Sequence, residues 1–175
     1  GRFLACGTGT STTTQIMSSP DAITWTAATL PTTSNIWNDI CYAPIDYGVG
    51  GSRGCAMAVG TTSSATVARS AHLFVSPGGT WITTAITASA YTPTSVVFSP
   101  YLGTFVCVGI GATTALQIFY LRETNAALGA WQTATSPVST NPSAWTKVIW
   151  IEDARVFVAI GPGTSVISST DGEPW

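Results

Sequence analysis

Chemistry in this chain falls to very few side chains. Eight carboxylates, five arginines, one lysine and one histidine are spread over 175 residues. Hydrolysis of a glycosidic bond needs two carboxyl groups facing each other across a cleft. The acids are Asp21, Asp39, Asp46, Glu123, Glu152, Asp153, Asp171 and Glu173. They fall mostly in corners and turns, and no spacing places two of them in one pocket. Glu152 and Asp153 are adjacent and read as a solvated turn. His72 stands alone among many serines, and there is no Gly-x-Ser-x-Gly elbow, so serine-nucleophile chemistry has no framework. The cysteines are Cys6, Cys41, Cys55 and Cys107. They lack the closely spaced Cys or His pairs of a zinc site. They read as buried free thiols acting as small hydrophobes, a disulfide remaining open to an extracellular protein. No metal and no cofactor is expected.

Binding chemistry is better supplied. The chain holds seven Trp, five Tyr and six Phe, and Trp37, Tyr42, Tyr47, Tyr91, Tyr101 and Trp145 stand near junctions between strand-like runs. Exposed rings offer an apolar face to a sugar, and neighbouring Thr, Ser and Asn side chains bond its hydroxyls. Trp37 and Trp145 occupy equivalent positions, which favours packing between units. The Gly-rich stretch from Ile45 to Gly54 is longer than the matching connections, Ser99 to Thr104 and Ile151 to Val156. Insertions in a repeat map to loops on one face, often the binding face. That stretch carries Tyr47 and Arg53, which with Tyr101 and Arg122 form the candidate ligand-contacting set. Arg122 opens a longer polar stretch, Leu121 to Trp131, where the other units have an ordinary corner.

A repeat has to position these residues. Phe3-Leu4-Ala5-Cys6-Gly7, Met57-Ala58-Val59-Gly60, Phe105-Val106-Cys107-Val108-Gly109 and Phe157-Val158-Ala159-Ile160-Gly161 echo one another, their glycines 53, 49 and 52 residues apart. After each glycine come a small-residue turn, a second apolar run, a polar corner and a tryptophan: Trp25, Trp81, Trp131 and Trp175. A Thr/Ala strand, a loop and a linking run then lead to the next unit. The linking runs are Trp37 to Tyr42, Thr94 to Phe98 and Trp145 to Trp150. About four short strands per period of 40 to 50 residues predicts an all-β protein, with β-propeller blades the usual form. The units span approximately 1–53, 54–102, 103–154 and 155–175, about three and a half four-stranded blades. Rings ordinarily close with four to eight blades. The chain is therefore expected to belong to a larger ring, as a segment of a longer polypeptide or as one of several copies.

Composition sets the boundaries of function. Charged residues make up 8% of the chain, against about 25% in ordinary soluble domains, so hydroxyls, amides and backbone must cover the surface. No run of about 18 apolar residues exists, which excludes a membrane-spanning helix. The net charge is −2 with no basic stripe, which argues against a nucleic-acid partner. Few charges and many Thr and Ser fit an extracellular or virion-surface location.

The corners carry the most specific local pattern. Ser169-Thr170-Asp171-Gly172-Glu173-Pro174-Trp175 aligns without gaps with Ser19-Pro20-Asp21-Ala22-Ile23-Thr24-Trp25. An Asp at such a turn accepts N–H groups two residues on, Gly172 can take a positive φ, and the Trp ring closes over the hairpin. The pattern resembles the Asp-box of bacterial-neuraminidase-type repeats in sialidase-like β-propellers, one residue shorter than the usual form. The wider cadence is similar to propeller repeats of phage tail and other surface proteins. The resemblance implies a propeller in which Ser19, Asp21, Trp25, Ser169, Asp171 and Trp175 are structural corner residues on the blade periphery. It further implies a non-catalytic binding module for a surface glycan or host receptor, or an assembly component contacting neighbouring virion subunits. Sialidase-like glycoside hydrolysis is the enzymatic alternative. It requires an arginine triad, a Tyr–Glu nucleophile pair and an Asp acid/base, and none of Arg2, Arg53, Arg69, Arg122 and Arg155 lies in a Phe-Arg-Ile-Pro-like context.

Overall fold

The computed structural model describes residues 3–8, 15–30, 35–46, 53–62, 68–74, 81–87, 91–111, 117–124, 127–128, 130–135 and 144–175. These residues are all strand, turn or extended connection, with no helix among them. They form four antiparallel sheets in chain order. The first holds β1 (Phe3–Cys6), β2 (Ile16–Ser19) and β3 (Thr26–Ala27). The second holds β4 (Asn35–Asp46), β5 (Arg53–Thr62), β6 (Ala68–Phe74) and β7 (Ile82–Thr87). The third has β8 (Tyr91–Ser99), β9 (Thr104–Gly111), β10 (Ile118–Thr124), β11 (Ala127–Leu128) and β12 (Gln132–Thr133), the last two both pairing with β10. The fourth has β13 (Lys147–Ile151), β14 (Val156–Ile160) and β15 (Val166–Ser169).

A repeat has no intrinsic starting point, and these sheets cut the period at the linking runs. Each later sheet opens with a linking run, β4, β8 or β13, followed by the strand that runs up to or through the landmark glycine. We call these three the leading strands. β4 lies beside β8 and β8 beside β13, so the leading strands of successive sheets face one another. Among the described residues, the first sheet runs β1-β2-β3 with β1 at its edge.

Between each consecutive pair of sheets sits one apolar cluster. Ile16, Leu30, Trp37, Ala56, Ala58 and Trp81 fill the first gap. Met57, Val59, Phe98, Phe105, Phe119 and Trp131 belong to the second. Val106, Val108, Trp145, Phe157 and Trp175 belong to the third. Alternate side chains of one strand thus serve two different cores. Phe105 and Cys107 face the second sheet, whereas Val106 and Val108 face the fourth. A strand buried on both faces reads as an unbroken apolar run, which is why Phe105 to Val108 shows no polar alternation.

The landmark glycines answer to a steric demand. A β-bulge interrupts β4 between Trp37 and Asp39, and another interrupts β8 between Pro93 and Ser95. Each presses backbone onto the glycine opposite. A Cβ on Gly60 would lie 1.9 Å from the Ile36 carbonyl oxygen, and one on Gly109 2.2 Å from that of Thr92. Only glycine permits such an approach.

Candidate functional site

The bulges re-aim side chains, as bulges commonly do. They bring Asp39, Ser95 and Lys147 into one cluster. These residues hold the same register position on β4, β8 and β13, opposite Val59, Val108 and Ile160. Asp39 Oδ2 accepts hydrogen bonds from Ser95 Oγ at 2.7 Å, from the Val96 N–H at 3.0 Å and from Lys147 Nζ at 2.9 Å. Its Oδ1 accepts from the Ile40 N–H at 3.0 Å. Ser95 Oγ in turn accepts the Val148 N–H at 3.3 Å. One carboxylate therefore ties three sheets together.

The bulged residues add a second tie. Asn38 Nδ2 donates to the Pro93 carbonyl at 2.6 Å, and Thr94 Oγ1 to the Trp145 carbonyl at 2.6 Å. Both bonds run from a bulged residue of one leading strand to the same repeat position in the next unit, Pro93 within β8 and Trp145 two residues before β13. Sequence reasoning placed Asp39 among scattered acids, yet stacking the three linking runs would have shown it. Asp39, Ser95 and Lys147 stand two residues after Trp37, Pro93 and Trp145. Chemically the cluster is saturated. Its carboxylate has four donors, and among the described residues no second acid bonds with it. Among the described residues, no three His, Cys, Asp or Glu side chains gather as a metal would need.

The opposite end of the leading strands carries the exposed candidates. Tyr101 lies in the β8–β9 turn, 57% exposed. The Arg155 guanidinium, in the β13–β14 turn, lies over its ring at 4.2 Å from the centroid. At the matching repeat positions stand Gly54, one residue into β5, and Gly103, in the β8–β9 turn, with φ of +105° and +60°. Arg155 takes φ of 51° there, a left-handed backbone that a non-glycine residue adopts at a cost of about 1 kcal/mol or more. Along the same edge, Tyr120 donates its hydroxyl to Glu173 Oε2 at 2.5 Å, and Arg122 lies over the Tyr120 ring at 5.1 Å. Arg122 also approaches Glu173 Oε2 at 4.0 Å. The bond to Glu173 holds the Tyr120 phenol above its ordinary pKa, with burial adding to it.

Of the other candidates, Arg53 begins β5 in register with Asp46, and Tyr47 lies outside the described residues. Tyr91 is a core residue, its hydroxyl donating to the Gln117 carbonyl at 3.2 Å, and burial raises its pKa. Trp37 and Trp145 are buried between sheets. Trp37 Nε1 donates to Gln15 Oε1 at 3.0 Å. The four cysteines are free thiols, and burial pushes Cys6 up to about 11 and Cys107 to about 12.

The two aligned corners are near copies. Asp21 Oδ1 accepts the N–H groups of Ile23 and Thr24 at 2.8 and 2.7 Å and the Ser19 hydroxyl at 2.9 Å. These bonds, Thr24 first, pull its pKa down to about 2. Asp171 Oδ1 accepts from the Glu173 N–H at 2.9 Å and Ser169 Oγ at 3.1 Å. The indoles close each corner, Trp25 Nε1 onto the Ala22 carbonyl at 3.2 Å and Trp175 Nε1 onto that of Gly172 at 2.8 Å. Gly172 and Ala22 both have positive φ, 86° and 63°. No protein-family model and no curated protein matches the chain.

Proposed function

We propose that the protein is a non-catalytic, β-propeller-like module of a virion or cell surface, binding a glycan or receptor through the turns between its leading strands and their partners. The reading rests on the Tyr101–Arg155 pair. An arginine stands where the equivalent repeat positions hold glycine at positive φ, and what the molecule gains for that backbone strain is a guanidinium held over an exposed phenol ring. Such a ledge offers a ring edge and a cation to a saccharide bearing carboxylates. Arg122, beside Tyr120, adds a second guanidinium along the edge. The Asp-box-like corners, the sheets lying in chain order and the facing leading strands support the propeller form. Within that reading Asp39 is a structural residue, because both oxygens of its carboxylate are engaged in holding strands.

The test is an array of acidic and neutral glycans probed with the 175-residue protein. Binding to acidic glycans is expected, weakened at least tenfold in Tyr101→Ala and in Arg155→Gly. Arg155→Gly keeps the turn conformation, so its loss reports the guanidinium alone. No binding by the unaltered protein, or equal binding by both variants, rejects the reading. Sugar release from a polysaccharide would instead favour the hydrolase.

A further inference from the structure

Two junctions between sheets carry the same polar pair and close it differently. Gln15 and Gln117 stand at one repeat position: the Gly7 N–H donates to the Gln15 carbonyl at 2.9 Å, and the Gly109 N–H to the Gln117 carbonyl at 3.0 Å. Trp37 and Trp145 share a position in the linking runs that follow, one residue after the matching bridges Thr8–Ile36 and Ile110–Ala144. In the later junction both partners hang from Gly109, whose own carbonyl accepts the Trp145 N–H at 3.1 Å. At the intervening junction the two positions hold Arg69, opposite Gly60, and Pro93, opposite Gly109. The glutamine and the indole are therefore present together or absent together.

In the first junction the pair closes directly, Trp37 Nε1 donating to Gln15 Oε1 at 3.0 Å. In the third, Trp145 Nε1 and Gln117 Oε1 are both buried, and among the described residues neither has a hydrogen-bond partner. Burying a donor or an acceptor without a bond costs its full desolvation. Polar atoms in that condition within a native core are ordinarily met by ordered water.

We propose that the third junction holds one internal water, which accepts the Trp145 indole N–H and donates to Gln117 Oε1. The chemistry of the two atoms selects the occupant. It must accept from an N–H and donate to a carbonyl oxygen at once, as a hydroxyl-type oxygen does and a metal cation, an anion or an apolar molecule does not. Gln117 and Trp145 are 2% and 1% exposed, so the occupant is enclosed. The same pair touches directly in the first junction, which leaves the third the length of one bridging oxygen. This junction is also the one that Tyr101 and Arg155 span, from the turns of the third and fourth sheets.

Rotating-frame Overhauser spectra of the isotope-labelled 175-residue protein test this, reading transfer from water to each assigned indole N–H. A dipolar cross-peak is expected at Trp145 Nε1–H, at least tenfold stronger than at Trp37 Nε1–H. Gln117→Leu removes the acceptor that holds the water and should weaken the Trp145 peak at least tenfold, leaving the Trp37 resonance in place. Gln15→Leu should move the Trp37 resonance, whose bond is direct. Absence of a water peak at Trp145, equal peaks at the two indoles, or an undiminished Trp145 peak in Gln117→Leu overturns the proposal. So does a Trp145 resonance that lacks a water peak and shifts in Gln117→Leu as Trp37 does in Gln15→Leu, which would mean a direct bond. If Gln117→Leu does not fold, the comparison of the two indoles in the unaltered protein decides alone.

Discussion

Asp21 shows how one side chain can set the shape of a corner. Its carboxylate takes two backbone N–H groups and a hydroxyl in a turn open to solvent. Those bonds favour the charged form, which is why the folded pKa falls from 3.8 to about 2. Linkage fixes the sign: the contribution to stability is complete above the unfolded pKa of 3.8 and disappears as pH drops through about 2. Asp21→Asn keeps the acceptor oxygen and loses the titration. The gap in urea midpoint between the protein and this variant should therefore be constant above pH 5 and close between pH 4 and 1.5. A gap that does not change with pH would remove the carboxylate from the account. The Ser-x-Asp spacing and the following Trp made this corner legible, because the bonds involved are local in sequence. Arg155 was not legible in the same way. Its importance comes from a backbone angle and from Tyr101 on another sheet, and a single sequence displays neither.

Elements in this molecule meet through their leading strands, and Asp39 is where three of them are fastened. Its oxygens bond Ser95 and Val96 of β8, Lys147 at the start of β13, and Ile40 of its own strand. The side chain of Asp39 is 19% exposed and that of Lys147 54%, so the bonds differ in worth. A shielded carboxylate holding backbone N–H groups should count for about 2–3 kcal/mol. An exposed ammonium pair is worth less than about 1 kcal/mol. Asp39→Ala is accordingly expected to lower stability by about 2–3 kcal/mol and Lys147→Ala by no more than about 1 kcal/mol, read from chemical denaturation. Equal losses would mean that the ion pair, rather than the strand ties, does the fastening. The strand character of the linking runs was plain from their apolar content. Their bulges were not, since a bulge is a relation between two strands. For that reason Asp39 resembled any other scattered acid, and the landmark glycines could be found by their spacing but not explained by it.

At the scale of the whole molecule, the corner tryptophans report how the sheets depend on one another. Trp81, Trp131 and Trp175 are buried in the three successive clusters between sheets, whereas Trp25, at the same repeat position, is 37% exposed and lies in none of these clusters. The repeat alone predicts four equivalent lids; the neighbouring sheet decides which of them are buried. In a stacked repeat, stability is roughly the sum of unit terms and nearest-neighbour interfaces, so damage to a central interface uncouples the two sides. Truncating a buried Trp costs about 3–5 kcal/mol. Trp131→Ala weakens the junction between the second and third sheets, and should split or broaden the unfolding curve while moving its midpoint down. Trp25→Ala removes a half-wet ring from an end, and should shift a single transition by about 1 kcal/mol. Calorimetry distinguishes the two through the ratio of van't Hoff to calorimetric enthalpy, which should fall below one for Trp131→Ala and stay near one for Trp25→Ala. If both variants unfold in one step with similar losses, the four sheets form a single cooperative core and the nearest-neighbour description fails.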